Sequence, residues 1–312
     1  MSALLATEHF AGPPHWTWYI LFYFFLAGLA GGSYFLATVL RYWGVAADEA
    51  AARIGYYVAF PATVIGALLL TLDLKQPLRF WHMLFDTTPG QFGLSFNSTT
   101  PMSIGVWALL AASVFSLVSF VDALLRDGRL RVGGRRALLP GTAGLVWSVA
   151  GSVVYLFIAG YTGVLLSVSN QPIWSDTWAL GGLFLASGLS GAAALLLILA
   201  RYRPGADASR SMLELSERIF AGLELLLLVV VLLTLIDDGT LGKALGFPWI
   251  LLWLAALVGI VSGLGSTTIH RLRPMPAGAA VAARAQAWAL APTFVLLGIL
   301  ALRAWVIFTA QH

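Results

Sequence analysis

The sequence contains no cysteine among its 312 residues. This absence excludes a disulfide framework, a thiolate metal site and any iron–sulfur cluster bound by the protein's own cysteines. Charged residues are also scarce, at 10%, whereas hydrophobic residues make up 59%. Soluble domains carry roughly 25% charged residues. The composition therefore predicts an integral membrane protein.

Histidine is too scarce inside the apolar segments to bind haem. A membrane cytochrome b ligates haem through pairs of histidines within its helices. The histidines are His9, His15, His82, His270 and His312, and none lies in the middle of an apolar segment. The sequence also lacks a phosphate-binding glycine loop, a metalloprotease helix and a serine nucleophile elbow. We expect no haem, no iron–sulfur cluster and no metal site in this chain.

Apolar segments recur along the whole chain at lengths that suit a bilayer. About 20 apolar residues in a helix cross the hydrocarbon core. The segments are 16–40, 54–72, 101–125, 138–169, 177–200, 219–236, 248–269 and 287–309. The longest polar connection, residues 73–100, separates the second segment from the third, and loops of this length are often functional. The predicted fold class is all-α, with eight transmembrane helices.

Arginine and lysine are distributed unequally between the two sides of this predicted bundle. The connections after the first, third, fifth and seventh segments carry 14 of them, and the other connections carry 3. The positive-inside rule then places both termini outside the cytoplasm. The net charge of +4 is accounted for by this topological signal, so it gives no reason to expect nucleic acid as a partner.

Two apolar segments 160 positions apart repeat the same small and polar residues in one ungapped frame. The matching pairs are Trp18 and Trp178, Gly28 and Gly188, Gly31 and Gly191, Arg41 and Arg201, and Tyr42 and Tyr202. Small residues at this spacing let helices approach closely in lipid. Such a repeat predicts two tandem four-helix bundles, residues 1–175 and 176–312, with a site near the interface between them.

Aromatic and hydrogen-bonding residues cluster near the outward ends of the early segments. They include Trp16, Tyr23, Arg79, Trp81, His82, Tyr161, Asn170 and Trp174. Each aromatic residue alone is typical of an interfacial belt. Their convergence with titratable groups such as His82 and Asp73 favours a quinone site, which needs an apolar slot, donors for two carbonyl groups and groups that exchange protons.

Charged residues inside apolar segments are the next candidates, because they are costly there and usually line a pathway or pair with each other. Glu224 is a candidate for proton handling, with a structural ion pair as the alternative. Arg303 either lines a pathway or extends its side chain towards the interface. Glu214 and Arg218 have the i, i+4 spacing of an ordinary helical ion pair.

Three stretches together resemble one known family. They are HWTWYILFYFFLAGLAGGSYF (15–35), DLKQPLRFWHMLF (73–85) followed by STTPMSIGVW (98–107), and YTGVLLSVSNQPIW (161–174). They are similar to the NrfD/PsrC family, the polysulfide-reductase-like integral membrane subunits. The resemblance extends well over the first five segments and weakly over the last three.

The resemblance implies the quinone-handling subunit of a respiratory complex in the cytoplasmic (inner) membrane of a bacterium or archaeon. The quinone would be menaquinone or ubiquinone. The implied partners are a ferredoxin-like iron–sulfur subunit and a molybdenum- or tungsten-pterin catalytic subunit. By position, Tyr23, Tyr161, Asp73 and Arg218 match functional residues of the family, and Glu224 matches more loosely. Some members have histidine where this chain has Tyr23.

The leading hypothesis is therefore a quinone/quinol oxidoreductase subunit, with or without proton translocation. The residues fall into three groups: Tyr23, Tyr161 and His82 react with the quinone; Trp16, Trp81, Asn170 and Trp174 shape the pocket; and Asp73, Arg79, Arg218 and Glu224 move protons. A secondary transporter or proton-conducting channel is the alternative. It predicts helices broken at matching places, yet Pro61 corresponds to Ala221. An inert membrane anchor is the third hypothesis.

Overall fold

The structure, a computed structural model, describes residues 14–90, 92–131, 133, 136–265 and 277–311, with side chains from residue 290 onward in the last range. The protein is helical over most of this length. The helices of the described part are α1 Trp18–Trp43, α2 Glu49–Asp73, α3 Pro101–Arg126, α4 Gly141–Ser167, α5 Leu180–Ala200, α6 Arg210–Asp237, α7 Leu241–Ala244, α8 Trp249–Gly265 and α9 Ala277–Thr309.

The connections contain short regular elements as well. There are 3-10 helices at Ala46–Asp48, Pro77–Met83 and Ala206–Ser209. In the long 73–100 connection, β1 (Phe85–Asp86) pairs antiparallel with β2 (Gly93–Leu94). This connection therefore has regular secondary structure of its own, at one end of the helices.

Seven helices of the described part are long and apolar enough to cross a membrane, and α8 is a shorter apolar helix of 17 residues. The protein is thus a multi-pass membrane protein. Several helices extend beyond the predicted segments: α2 begins at Glu49, α6 at Arg210 and α9 at Ala277. An apolar run in the sequence indicates only the part of a helix that lies in the hydrocarbon core of the bilayer. Charged residues continue the helix beyond this core into water.

The fourth predicted segment is too long at both ends. The sequence predicts it over 138–169, but α4 spans Gly141–Ser167 and follows Pro140, whose backbone is extended. The backbone N–H groups of Leu138 and Leu139 instead donate to the Asp122 carboxylate, at 2.8 and 3.1 Å. A side-chain acceptor on α3 thus binds two N–H groups that would have no intrahelical partner at the start of a longer helix.

The helix α1 lies at the centre of the packing. It packs on α2, α4 and α5, while α2 packs on α3 and α3 on α4. Around α5 the arrangement is similar, because α5 packs on α6 and α9, α6 on α8, and α8 on α9. Most of α1 and α5 is buried, whereas most residues of α3 and α6 are partly or fully exposed. In a membrane protein these exposed apolar faces contact lipid.

The contact between α1 and α5 depends on glycine. A Cβ atom added to Gly188 would lie 2.9 Å from the Cα of Gly28, and one added to Gly32 would lie 2.5 Å from the Cβ of Ala192. Distances under 3 Å are too short for carbon atoms in contact, so these positions exclude larger side chains unless the helices separate. The repeated small residues thus bring the two backbones together.

Ion pairs join the helix ends on the arginine-rich side. Asp122 accepts from Arg126 at 2.7 Å, as the spacing predicts, and from Arg41 at 3.0 Å. The predicted pair of Glu214 with Arg218 is wrong. Glu214 binds Arg210 instead, at 2.6 Å, so it pairs one turn towards the N-terminus of α6.

Candidate functional site

A narrow crevice opens between α1, α2, α3 and α4. Its cavity volume is only about 10 Å³, so its own side chains nearly fill it. Its walls include Tyr23, Ala27, Thr63, Gly66 and Tyr155. Ligand pockets commonly measure roughly 300–1,000 Å³, so a ring-shaped ligand would need the wall side chains to move apart.

The hydroxyl groups on the crevice walls differ in whether they already have partners. Tyr155 and Thr63 share a hydrogen bond of 2.7 Å, and Tyr155 also donates to the carbonyl of Ala112 at 3.1 Å. Thr63 donates to the carbonyl of Ala59 at 2.7 Å. The Tyr23 hydroxyl, by contrast, forms no hydrogen bond within the described part of the protein. Tyr23 is therefore the wall residue with hydrogen-bonding capacity to spare.

Tyr161 lies near Tyr23, close enough for the two side chains to interact electrostatically. Its hydroxyl donates to the carbonyl of Pro101, the first residue of α3. Its ring packs over Gly105, where an added Cβ atom would lie 2.6 Å from the ring. Tyr161 thus connects α4 with the point where the 73–100 connection enters α3.

The predicted residues of the long connection lie elsewhere. His82 is exposed in the 3-10 helix Pro77–Met83, stacks on Trp81 with ring centroids 3.9 Å apart, and shares a hydrogen bond of 3.0 Å with Thr87. Arg79 is exposed in the same helix. Asp73, at the end of α2, accepts from Thr17 at 3.2 Å. These contacts keep His82 with its own loop rather than with the two tyrosines.

Two of the aromatic residues expected to shape the pocket, Trp16 and Trp174, form a second, separate cluster. Trp16 stacks on Trp174 with ring centroids 4.9 Å apart. The Trp174 indole donates to the carbonyl of Val306 at 2.7 Å, and the Trp16 backbone N–H donates to Gln311 at 2.8 Å. The pair therefore fastens the start of α1 to the end of α9. Asn170 is exposed just after α4.

The charged residues within the spans are buried together in the core. Arg303 is 0% exposed, so the expectation that its side chain extends to the interface is wrong. Its guanidinium donates to the carbonyls of Phe24 and Phe184, both at 3.2 Å, and to Ser187 at 2.9 Å. Glu224 is also buried and interacts electrostatically with Arg303.

Arg218 lies on α6, between its first turn and Glu224, and is half-buried. Its Nε atom is buried without a hydrogen-bond partner in the described part. The residues that the structure describes contain no group of three or more histidine or acidic side chains that could hold a metal ion. His9, His270 and His312 lie outside the residues whose side chains are described.

Sequence reasoning missed the hydroxyl network around Tyr155. Tyr34 stacks on Tyr155 with ring centroids 4.7 Å apart and shares a hydrogen bond of 2.8 Å with Ser119. Tyrosine, serine and threonine in an apolar segment are easily read as ordinary helix residues. The signal available was that these hydroxyls occur at mid-span, away from the belt that normally accounts for tyrosine.

The comparison with known proteins decides the family. The family described as "Polysulphide reductase, NrfD" matches residues 7–312. The chain belongs to this family. The resemblance found in the sequence is thereby confirmed, and it extends over the second half of the protein, where the motifs were weak.

Individual relatives show the same relationship. Protein NrfD of Escherichia coli (strain K12) is 26% identical over 321 residues, which span 95% of each protein. The C chain of polysulfide reductase from Wolinella succinogenes is 31% identical over 187 residues, spanning 56% of this protein and 55% of that one. The C subunit of selenate reductase from Mesobacillus selenatarsenatis is 27% identical over 237 residues, spanning 69% and 55%. This NrfD-family protein is thus related to membrane subunits of respiratory reductases.

Proposed function

We propose that this NrfD-family protein exchanges electrons between quinone or quinol in the bilayer and an iron–sulfur partner subunit. Family membership supports this role, and so do relatives named as one lettered part of a reductase, since such names imply further subunits. The proposed partners are a ferredoxin-like subunit and a molybdenum- or tungsten-pterin catalytic subunit. The proposed location is the cytoplasmic membrane of a bacterium or archaeon.

The proposed architecture has eight spans in two bundles, residues 1–175 and 176–312, with both termini outside the cytoplasm. Two observations support the division. The helices around α1 and those around α5 pack in a similar arrangement. Gly28 and Gly188, which correspond in the repeat, approach each other closely where α1 meets α5. Corresponding residues meet in this way at a two-fold axis.

The Tyr23 hydroxyl is the observation that carries the proposed quinone site. It lines an apolar crevice and has no hydrogen-bond partner in the described part of the protein. The hydroxyls of Tyr155 and Thr63 are held by each other and by main-chain carbonyls. Tyr23 can therefore donate to a quinone carbonyl, while Ala27 and Gly66 leave flat apolar walls for the ring.

A bound quinone would supply two-electron redox chemistry coupled to two protons. The protein's own residues would orient it and exclude water. Tyr161 would fix α3 at the mouth of the crevice through its bond to Pro101. A role at the quinone for His82, Trp81 and Asn170 would require the exposed segments that carry them to move over the opening of the crevice. For Trp16 and Trp174 the contacts favour a supporting role.

Proton movement is proposed for two places. Asp73 lies at the end of α2, beside Thr17 at the start of α1, with Arg79 further along in the following 3-10 helix. Glu224 and Arg218 lie on α6, and Glu224 is buried beside Arg303. Ionisable groups at such depth are costly, which is why they commonly mark a pathway.

The quinone site can be tested with a fluorescent quinol-site inhibitor titrated into the purified complex. Tyr23→Phe removes one hydroxyl and keeps the ring, so we expect about threefold to tenfold weaker binding, the usual effect of one lost hydrogen bond. Tyr161→Phe should also weaken binding, because α3 loses its attachment. Tyr19→Phe, which alters an exposed tyrosine one turn before Tyr23 on α1, is the matched control.

Two results would count against the proposal. Absence of saturable binding in the wild-type complex would remove the quinone site altogether. Binding that is equally strong in Tyr23→Phe, Tyr161→Phe and Tyr19→Phe would place the inhibitor away from the crevice. Either result would favour the alternative function, a secondary transporter or proton-conducting channel.

A further inference from the structure

A basic pocket lies at the arginine-rich end of the first four helices. Its volume is about 400 Å³, and its walls are mainly polar. Its charged walls are Arg41, Glu49, Arg53, Arg126 and Arg136. The pocket is far along the helices from Tyr23, which lies near the start of α1, whereas Arg41 lies in the last turn.

The charges of this pocket do not cancel. Glu49 binds both Arg41, at 2.9 Å, and Arg53, at 3.1 Å. Two carboxylates that do not line the pocket bind its arginines as well. Asp122 binds Arg126 and Arg41, and Asp127 binds Arg53. Arg136 is exposed and forms no ion pair within the described part of the protein. Four guanidinium groups line the pocket, and three carboxylates, those of Glu49, Asp122 and Asp127, bind all of them except Arg136. The uncompensated charge of Arg136 leaves the pocket positive. Guanidinium groups suit phosphate because they can donate two parallel hydrogen bonds.

An apolar groove begins beside this pocket and runs along α3 and α4. Its volume is about 550 Å³, and almost all of its surface is apolar. Its walls include Phe115, Leu139, Ala143, Val146, Trp147 and Ala150. Val146 is largely exposed, so the groove is open on the side that faces lipid.

The pocket and the groove meet at one contact. The Arg126 guanidinium, in the pocket, donates at 3.1 Å to the carbonyl of Leu139, which lines the groove. Phe115 and Arg126 both lie on α3, about three helical turns or roughly 16 Å apart. The groove therefore extends from the level of the arginines into the depth where acyl chains lie.

We propose that this pocket and groove bind one anionic glycerophospholipid. The phosphate lies against Arg136, with the partly exposed guanidinium groups of Arg53 and Arg126 beside it. An acyl chain lies in the groove between α3 and α4. The excess of positive charge matches an anionic headgroup, and basic pockets between helices at the membrane surface suit such headgroups. The adjoining groove selects a lipid over a free anion, because inorganic phosphate has nothing to place there. This site is separate from the proposed quinone crevice and does not depend on it.

Native mass spectrometry of the purified full-length protein can test the site. The protein is stripped of lipid and titrated separately with phosphatidylglycerol, phosphatidylethanolamine and inorganic phosphate. We expect one tightly bound phosphatidylglycerol and markedly weaker binding of the zwitterionic lipid. Arg136→Gln should weaken that binding about fivefold, which corresponds to the effect of one basic residue near a lipid surface. Ala143→Phe should weaken it as well, by filling the groove.

Matched controls distinguish the site from general surface charge. Arg131→Gln removes the same charge from the same connection, and Val149→Phe adds bulk to α4, but neither residue lines the pocket or the groove. Both controls should bind as the wild type does. All four positions are exposed at the surface, so the variants should fold, which their unfolding temperatures will check.

Three results would overturn the proposal. Equal binding of the anionic and zwitterionic lipids would show that charge does not select the ligand. Inorganic phosphate that binds as tightly as phosphatidylglycerol would make the pocket a free-anion site. Binding unchanged in both Arg136→Gln and Ala143→Phe would place the lipid elsewhere on the surface.

Discussion

The carbonyl groups of Phe24 and Phe184 both accept a hydrogen bond from the same guanidinium, that of Arg303, at 3.2 Å. Phe24 and Phe184 are 160 positions apart in the sequence, the same offset that relates Gly28 to Gly188. Arg303 therefore lies between corresponding turns of α1 and α5. A third helix, α9, thus uses one side chain to join the two repeated helices.

The first prediction concerns the loss of this guanidinium. Arg303→Gln removes donors from two helices and leaves Glu224 buried beside a neutral group. Leaving the buried carbonyls of Phe24 and Phe184 without their donor typically costs about 1–3 kcal/mol each. The free energy of unfolding in detergent, measured by denaturant titration, should fall by that order.

A matched control for Arg303 is Arg129→Gln. Arg129 also forms an ion pair, with Asp127 at 2.8 Å, but its side chain is 65% exposed. Exposed pairs contribute about 0–1 kcal/mol. Similar losses for Arg303→Gln and Arg129→Gln would contradict the structural role assigned to Arg303.

The second prediction concerns the contact between α1 and α5. Gly188→Ala places a methyl group 2.9 Å from the Cα of Gly28, so the backbones must separate. Overpacking of this kind typically costs about 1–3 kcal/mol, measured as a lower free energy of unfolding. Gly182→Ala, on the same helix, is the control, because its methyl group would meet only Leu227 at 3.4 Å. A Gly188→Ala protein as stable as the wild type would mean that the helices are not in close contact.

Apolar length is enough to predict the helical, membrane-spanning character of this protein, but it does not predict where helices end. The helix α6 begins at Arg210 rather than Ile219 because charged residues continue a helix once it leaves the lipid. Length alone also misplaces the start of α4, since only the fold brings Asp122 to the backbone of Leu138.

The candidate site is predictable only in part. The sequence predicts Tyr23 and Tyr161 at the same end of the bundle, which points to a shared site, and the fold places them near each other. The sequence predicts His82 as a site residue because it lies next to Trp81. In the structure Trp81 is its stacking partner in an exposed loop. The environment of Arg303 depends on two segments 160 positions apart, so no local pattern in the sequence could reveal it.

The third prediction tests the size of the crevice. Gly66→Ala adds a methyl group 3.3 Å from the Tyr23 ring, which narrows an already small space. We expect about tenfold weaker inhibitor binding, a usual effect of one extra carbon in a tight pocket, with little change in stability. The control is Gly222→Ala, whose methyl group would meet Leu264 at an ordinary 3.8 Å. If both variants bind normally, the crevice is not the binding site.

The fourth prediction concerns Asp127, which follows α3 outside the membrane-spanning segment. Its carboxylate binds Arg53 at 2.9 Å and also Arg203, and its side chain is 12% exposed. Burial acts to raise the pKa of Asp127, but the hydrogen bond from Arg53 and the charges of Arg203 and Arg53 outweigh it and hold the pKa below its usual value. Arg53 lies in the first half of α2 and Arg203 follows α5, so Asp127 joins α2 to the connection that follows α5.

A carboxyl group with a lowered pKa in the folded state stabilises the protein above its unfolded pKa, about 3.9. That stabilisation is lost as the pH falls through the lower, folded pKa. At pH 7 the Asp127→Asn protein should therefore unfold at a lower temperature than the wild type, and the difference should shrink as the pH falls below about 4. Asp237→Asn, which removes an exposed carboxylate with no ion pair in the described part, should show no such difference at pH 7. If the difference in unfolding temperature between Asp127→Asn and the wild type stays constant down to about pH 2, below both pKa values, it does not depend on the charge of Asp127. That result would contradict the stabilising role assigned to the ion pairs of Asp127.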